Sequence, residues 1–112
     1  MRVYKILPRT DWIAAKSVGQ VLGSPVDLAD GYIHLSTAAQ AGETARKYFA
    51  GLSDLVVLEI ESEDLGTDLQ WEPSRGGDLF PHLYAPLAVA KVLAVHDAPL
   101  GLDGVPLIRV PA

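Results

Sequence analysis

The side chains best suited to acid–base or ligand chemistry in this sequence are His34, Glu72, His82 and Tyr84. His34 stands in Tyr32-Ile33-His34-Leu35-Ser36. Period-two alternation puts Tyr32, His34 and Ser36 on one face of a strand and Ile33 and Leu35 on the other. An imidazole held on a strand suits a general acid/base or a ligand anchor near neutral pH. The competing role is a half-buried histidine bonded to backbone. His82 lies in Phe80-Pro81-His82-Leu83-Tyr84, where an extended chain aligns Phe80, His82 and Tyr84 as a wall for a planar ligand. The alternative is that the two aromatics are core and His82 fills a gap. Glu72 follows Trp71. An indole beside it would desolvate the carboxylate and raise its pKa, as expected of a base or hydroxyl acceptor; the other reading is a solvated glutamate before a proline. His96, next to Asp97 at a strand end, reads as a surface residue.

Common catalytic signatures are missing. There is no H-E-x-x-H, no histidine pair at i, i+4 and no G-x-S-x-G elbow, and Gly76-Gly77 matches no phosphate-binding fingerprint. His34, His82 and Glu72 could meet at a metal in space, but their spacing does not call for one.

The elements that must position these residues follow from pattern. Val3–Leu7 is a short strand stopped by Pro8. Thr10 or Asp11 caps a following helix with Trp12, Ala15 and Leu22 near one face and Gly23 as its stop. Residues 25–30 read as a connection and 31–36 as a strand. Thr37-Ala38-Ala39-Gln40 fits a capping box, opening a helix with Ala41, Ala45, Tyr48, Phe49 and Leu52 on one stripe. Arg46 and Lys47 complement its dipole, and Gly51 can supply a left-handed C-cap. Strands are expected at 55–61, buried on both sides at its start and solvated at its end, then at 69–72, 89–95 and 105–110. Pro106 would put the last of these at an edge. Helices in the first half and strands in the second point to an α+β fold, with a mixed or antiparallel sheet and two main helices.

The totals narrow the function classes. A chain of 112 residues has room for a single domain, which would bury roughly 65% of its unfolded area. Nine Lys and Arg face fourteen Asp and Glu, and only Arg46 and Lys47 are adjacent, so the cation cluster a nucleic acid would need is lacking. No run of about 18 apolar residues crosses a membrane and no leader h-region opens the chain, which leaves the cytoplasm as the default. There is no cysteine, so thiolate and disulfide chemistry are excluded.

Asp30-Gly31-Tyr32-Ile33-His34-Leu35-Ser36, Thr44 to Gly51, and Trp71-Glu72 followed by Phe80-Pro81-His82-Leu83-Tyr84 together resemble a small bacterial domain-of-unknown-function family, number 952. The opening strand and Trp12 extend the resemblance over nearly the whole chain. It implies an ADP-ribosyltransferase-like fold, a split sheet with flanking helices that cradles NAD. It further implies an NAD-handling triad near Lys5, at His34 or Ser36, and at Glu72. Lys5 departs from the expected Arg or His, since an ammonium offers a point charge without a planar fork. Ala85 stands where the family commonly has glycine.

Three readings follow. In the first, an NAD or ADP-ribose-type nucleotide occupies a pocket in which His34 and Glu72 act on the ligand and Lys5, Ser36, His82 and Tyr84 bind it. In the second, the same surface is a non-catalytic small-molecule or self-associating module. The third is a metal-dependent hydrolase.

Overall fold

The computed structural model describes residues 1–110. In chain order the elements are β1 (Arg2–Pro8), α1 (Arg9–Val18), β2 (Gln20–Val21), α2 (Pro25–Asp30), β3 (Ile33–His34), α3 (Ala38–Tyr48), β4 (Leu55–Glu61), β5 (Leu69–Ser74), β6 (Asp78–Leu83), β7 (Leu87–Ala88) and β8 (Val92–Ala98). Strands pair as β1-β4-β8, β2-β7 and β3-β6-β5, and every ladder is antiparallel. The architecture is α+β, with the sheet split between two three-stranded halves. An isolated bridge between Tyr4 and Ser36 links the halves.

β4 lies at the centre because both its faces are apolar. Val56, Leu58 and Ile60 are fully buried in a core shared with Val3, Trp12, Ile33, Leu83 and Leu87. Leu55 and Val57 turn to a second cluster with Tyr4, Ile6, Ala45 and Ala98. α3 covers that second cluster through Ala45, with Ala38 packed against it, and small side chains let the helix approach the sheet closely. The solvated end expected for β4 is only partly found. Glu59 is 8% exposed, and its carboxylate is held by His96 Nε2 at 2.7 Å and Arg2 Nε at 3.2 Å. His96 is correspondingly half-buried rather than a free surface residue.

Several boundaries differ from the pattern. α1 starts at Arg9, before Thr10 and Asp11, and has no side-chain cap. It ends at Gly19 (φ +97°), the first residue able to turn left-handed without strain, so Leu22 lies beyond it and is exposed. Residues 25–30, expected as a connection, form α2. Ser24 and Asp27 make a reciprocal capping box, with Pro25 at the first helical position. The strand expected over 31–36 shrinks to Ile33–His34 plus the bridge at Ser36.

Thr37 and Gln40 form the expected box at the start of α3. Tyr48 and Leu52 of its stripe are exposed, however, and the C-cap is Phe49 at φ −124° rather than Gly51. β5 extends to Ser74, and β8 runs 92–98 after a 3₁₀ turn at 89–91. Residues 105–110 form no strand. Proline at 99 and 106 removes ladder donors there, leaving one bridge between Leu100 and Pro106. No helix among the described residues is long and apolar enough to cross a membrane.

Candidate functional site

The ladder between β3 and β6 pairs Ile33 with Leu83 and His34 with His82. Paired residues share a face. Ile33 and Leu83 enter the main core, at 3% and 1% exposed, so both histidines project from the opposite side. β5 pairs Gln70 with His82 and Glu72 with Phe80, which puts Glu72 on the histidine face as well. Tyr32 precedes β3, and Tyr84 follows β6 with its backbone N–H donating to Asp68 O at 2.8 Å. Four residues selected from sequence, His34, Glu72, His82 and Tyr84, therefore converge.

Beneath His34 lies a carboxylate that the sequence reading left out. Asp27, 2% exposed, accepts His34 Nδ1 at 2.6 Å and the His34 backbone N–H at 3.1 Å through Oδ1. Its Oδ2 accepts Lys5 Nζ at 2.8 Å and the Ser24 N–H at 2.9 Å. Burial alone would push this carboxyl up, but the bonds from His34 and Lys5 hold it well below the usual carboxylate range. Burial lowers the Lys5 ammonium from the usual lysine range, with Asp27 opposing. A carboxylate can only accept, so Nδ1 of His34 carries the hydrogen it gives to Asp27. Nε2 is the outward nitrogen, 2.9 Å from Asp30 Oδ2. Gly23 makes room for this hub: at φ +114°, a Cβ there would stand 2.8 Å from Asp27 Cβ.

The neighbouring cluster centres on Glu72. Its Oε1 accepts the Tyr84 hydroxyl at 2.6 Å and lies 2.8 Å from His82 Nδ1. These bonds draw the Glu72 carboxyl below its usual range, Tyr84 contributing most, and push the Tyr84 phenol up to about 12. The upward shift expected from Trp71 is thus reversed. Adjacent residues on a strand point to opposite faces, so the indole is not alongside the carboxylate, and hydrogen bonds to the anion dominate.

The rings form a contiguous surface. Tyr32 stacks on His82 at a centroid separation of 4.1 Å and 28° and tilts against His34 at 4.6 Å and Tyr84 at 5.2 Å. Beside them is a depression of about 230 Å³, its wall including Leu22, Leu28, Tyr32, Tyr84, Ala85 and Pro86. A larger depression of about 330 Å³ lies between α3 and the glycine loop; Phe80 lines it, away from the wall expected with His82 and Tyr84, and none of His34, Glu72, His82 and Tyr84 does.

Lys5 reaches the cluster only from below, through Asp27 and the His34 carbonyl at 3.3 Å. Ser36 stands apart, buried, with Oγ 3.0 Å from Thr44 Oγ1. Among the described residues, no three His, Asp or Glu side chains converge as a metal-ligand set. Asp27 and Asp30 were missed, although Ser24-Pro25-Val26-Asp27 carries capping-box spacing that marks Asp27 as a helix N3 residue. Tyr32 could be placed on the His34 face from sequence, but nothing local signalled its stacking on His82.

Protein CC0527 from Caulobacter crescentus has a closely similar crystal structure, with 57% sequence identity, coverage of 95% of this chain and 93% of that one, and a TM-score of 0.93. A double mutant of CC0527 superposes at a TM-score of 0.92 with 55% identity, covering 95% and 93%. The solution NMR structure of CC0527 gives 0.85 at 57% identity, covering 94% and 90%. No curated protein matches. The sequence profile described as "Protein of unknown function (DUF952)" matches residues 6–95, most of the chain, and this protein belongs to that family.

Proposed function

We propose that the His34–His82 face binds the ribosyl end of an NAD or ADP-ribose-type nucleotide, with His34 and Glu72 as the groups that contact the ligand. The observation carrying this reading is the joining of four rings and two hydrogen-bonded carboxylates beside an open depression. The ADP-ribosyltransferase-like kinship implied by the sequence motifs points the same way, as analogy.

The chemistry assigns different tasks to the two polar groups. Glu72 is held below its usual range by Tyr84 and His82, so it is an anion at neutral pH. An anion suits a ribose hydroxyl or a developing oxocarbenium centre, not proton donation. His34 has Nδ1 committed to Asp27, which orients Nε2 outward as an acid/base or hydroxyl contact. Asp30 would have to yield Nε2 when a ligand enters.

Calorimetry with NAD, ADP-ribose and nicotinamide at millimolar concentration tests the reading; no heat from any of them ends it. His34→Ala should abolish the heat while leaving the fold intact. If binding survives and only the melting temperature falls, the histidine is structural. The non-catalytic reading has one observation in its favour: the carboxylates that would do chemistry already accept hydrogen bonds from protein groups, as a preformed binding surface requires. The metal-dependent hydrolase draws no support from the side-chain geometry of the described residues.

A further inference from the structure

We infer that the depression beside Tyr32 and Tyr84 selects a ring carrying positive charge, an N-alkylated heteroaromatic cation, over a neutral ring or a phosphate. This rests on the nucleotide reading above and specifies which end of such a ligand enters.

Size comes first. A space of about 230 Å³ is below the range of roughly 300–1,000 Å³ usual for whole drug-sized ligands, so it suits one ring rather than a dinucleotide. Shape and polarity come next. Leu22, Leu28, Ala85 and Pro86 supply apolar contact, and two tyrosines, Tyr32 and Tyr84, add aromatic rings to the lining. Leu22, Leu28 and Tyr84 are 55%, 66% and 45% exposed, an apolar rim open to a ligand.

Charge decides the class. The wall contains one carboxylate, Asp27, and no Lys or Arg. Asp30, 46% exposed, and Glu72, 39% exposed, add negative charge on the adjoining histidine face. The cation nearest the hub, Lys5, is buried with its ammonium on Asp27 and cannot reach out to a phosphate. Anion recognition is strongest with Lys or Arg donors, and neither lines this depression. A delocalised cation instead gains from the tyrosine rings and from the two exposed carboxylates, Asp30 and Glu72, with little hydration to shed. The upward pull of Asp30 and Glu72 on the Tyr32 phenol, secondary to burial, reports the same negative field.

The test uses the full chain and three probes followed by amide NMR titration: the N1-methylnicotinamide cation, neutral nicotinamide, and ADP-ribose. The two nicotinamides have nearly the same shape and differ in charge. The cation should bind about tenfold tighter than nicotinamide, a factor typical of a partly desolvated cation–π contact, with shifts at residues 22–34 and 82–86. Glu72→Gln, which keeps the side-chain shape, should reduce that preference while the spectrum stays dispersed. Equal affinity for the two nicotinamides, or shifts elsewhere, overturns the inference. Binding of ADP-ribose without the cation also overturns it but leaves the nucleotide reading standing. Silence from all three probes removes both.

Discussion

Two histidine–carboxylate pairs lie side by side on one sheet face and are built in opposite senses. In Asp27–His34 the acid side chain is 2% exposed and the ring 35%. In Glu72–His82 the ring is 5% exposed and the acid 39%. The buried partner of each pair is held by the fold and the exposed one is presented to solvent. Asp27 is the anchor that aims His34, whereas His82 is the platform under Tyr32 from which Glu72 and Tyr84 project. The third pair, His96 with Glu59, sits on the other half-sheet, where the ring is 25% and the acid 10% exposed. A hydrogen-bonded histidine is thus not itself a site; which member is exposed, and what surrounds it, separates the three.

The largest effect should come from breaking the buried anchor. Asp27→Asn leaves the Lys5 ammonium in the interior without its counter-charge, and should cost about 3–5 kcal/mol in urea unfolding. The pH dependence has a definite sign. The folded carboxyl lies below its unfolded value, so its contribution is complete above about pH 4 and is lost as acid carries the folded group into protonation. The variant should therefore lose less stability than the parent on going below pH 4. A cost under about 1 kcal/mol would mean that Lys5 tolerates burial alone, and the two pairs would no longer differ in kind.

Next in size is His82→Ala. Removing a buried ring beneath Tyr32 should cost about 2 kcal/mol, against about 1 kcal/mol for the half-exposed ring in His34→Ala. Thermal or chemical unfolding of the two variants ranks them, and the reverse order would invert the assignment of platform and working group. The smallest change in stability is expected from Glu72→Gln, whose effect is instead spectroscopic. Ultraviolet titration should show the Tyr84 phenol falling from about 12 toward the ordinary 10 once its charged acceptor is gone. An unmoved high-pH phenol would show that Glu72 is not the partner that shifts it.

How far sequence carries depends on the range of the interaction. Thr37 and Gln40 cap α3 within one turn, so that helix start was legible. The alternation of Ile33, His34 and Leu35 is equally local and told correctly which face the histidine takes. The meeting of His34 with His82 needed a ladder across 48 positions, which no local pattern encodes. Asp27 was hidden for a different reason: its partners come from β1, β3 and the turn before α2, so only the Ser24 spacing was visible. Trp71 misled because neighbours in sequence on a strand are on opposite faces. The 105–110 segment misled because an apolar run with a turn signal is not a strand when prolines remove the donors that would pair it.

The carboxyl of Asp27 is at once the N3 acceptor of the α2 capping box and the clamp on the His34 ring. A six-residue helix is too short to persist by its own backbone bonds, so α2 leans on its capping box, of which Asp27 is one half. Unwinding α2 and releasing the imidazole are consequently coupled through one carboxylate. Amide exchange at residues 28–31 would then clock how often the histidine is set loose, without any ligand being known.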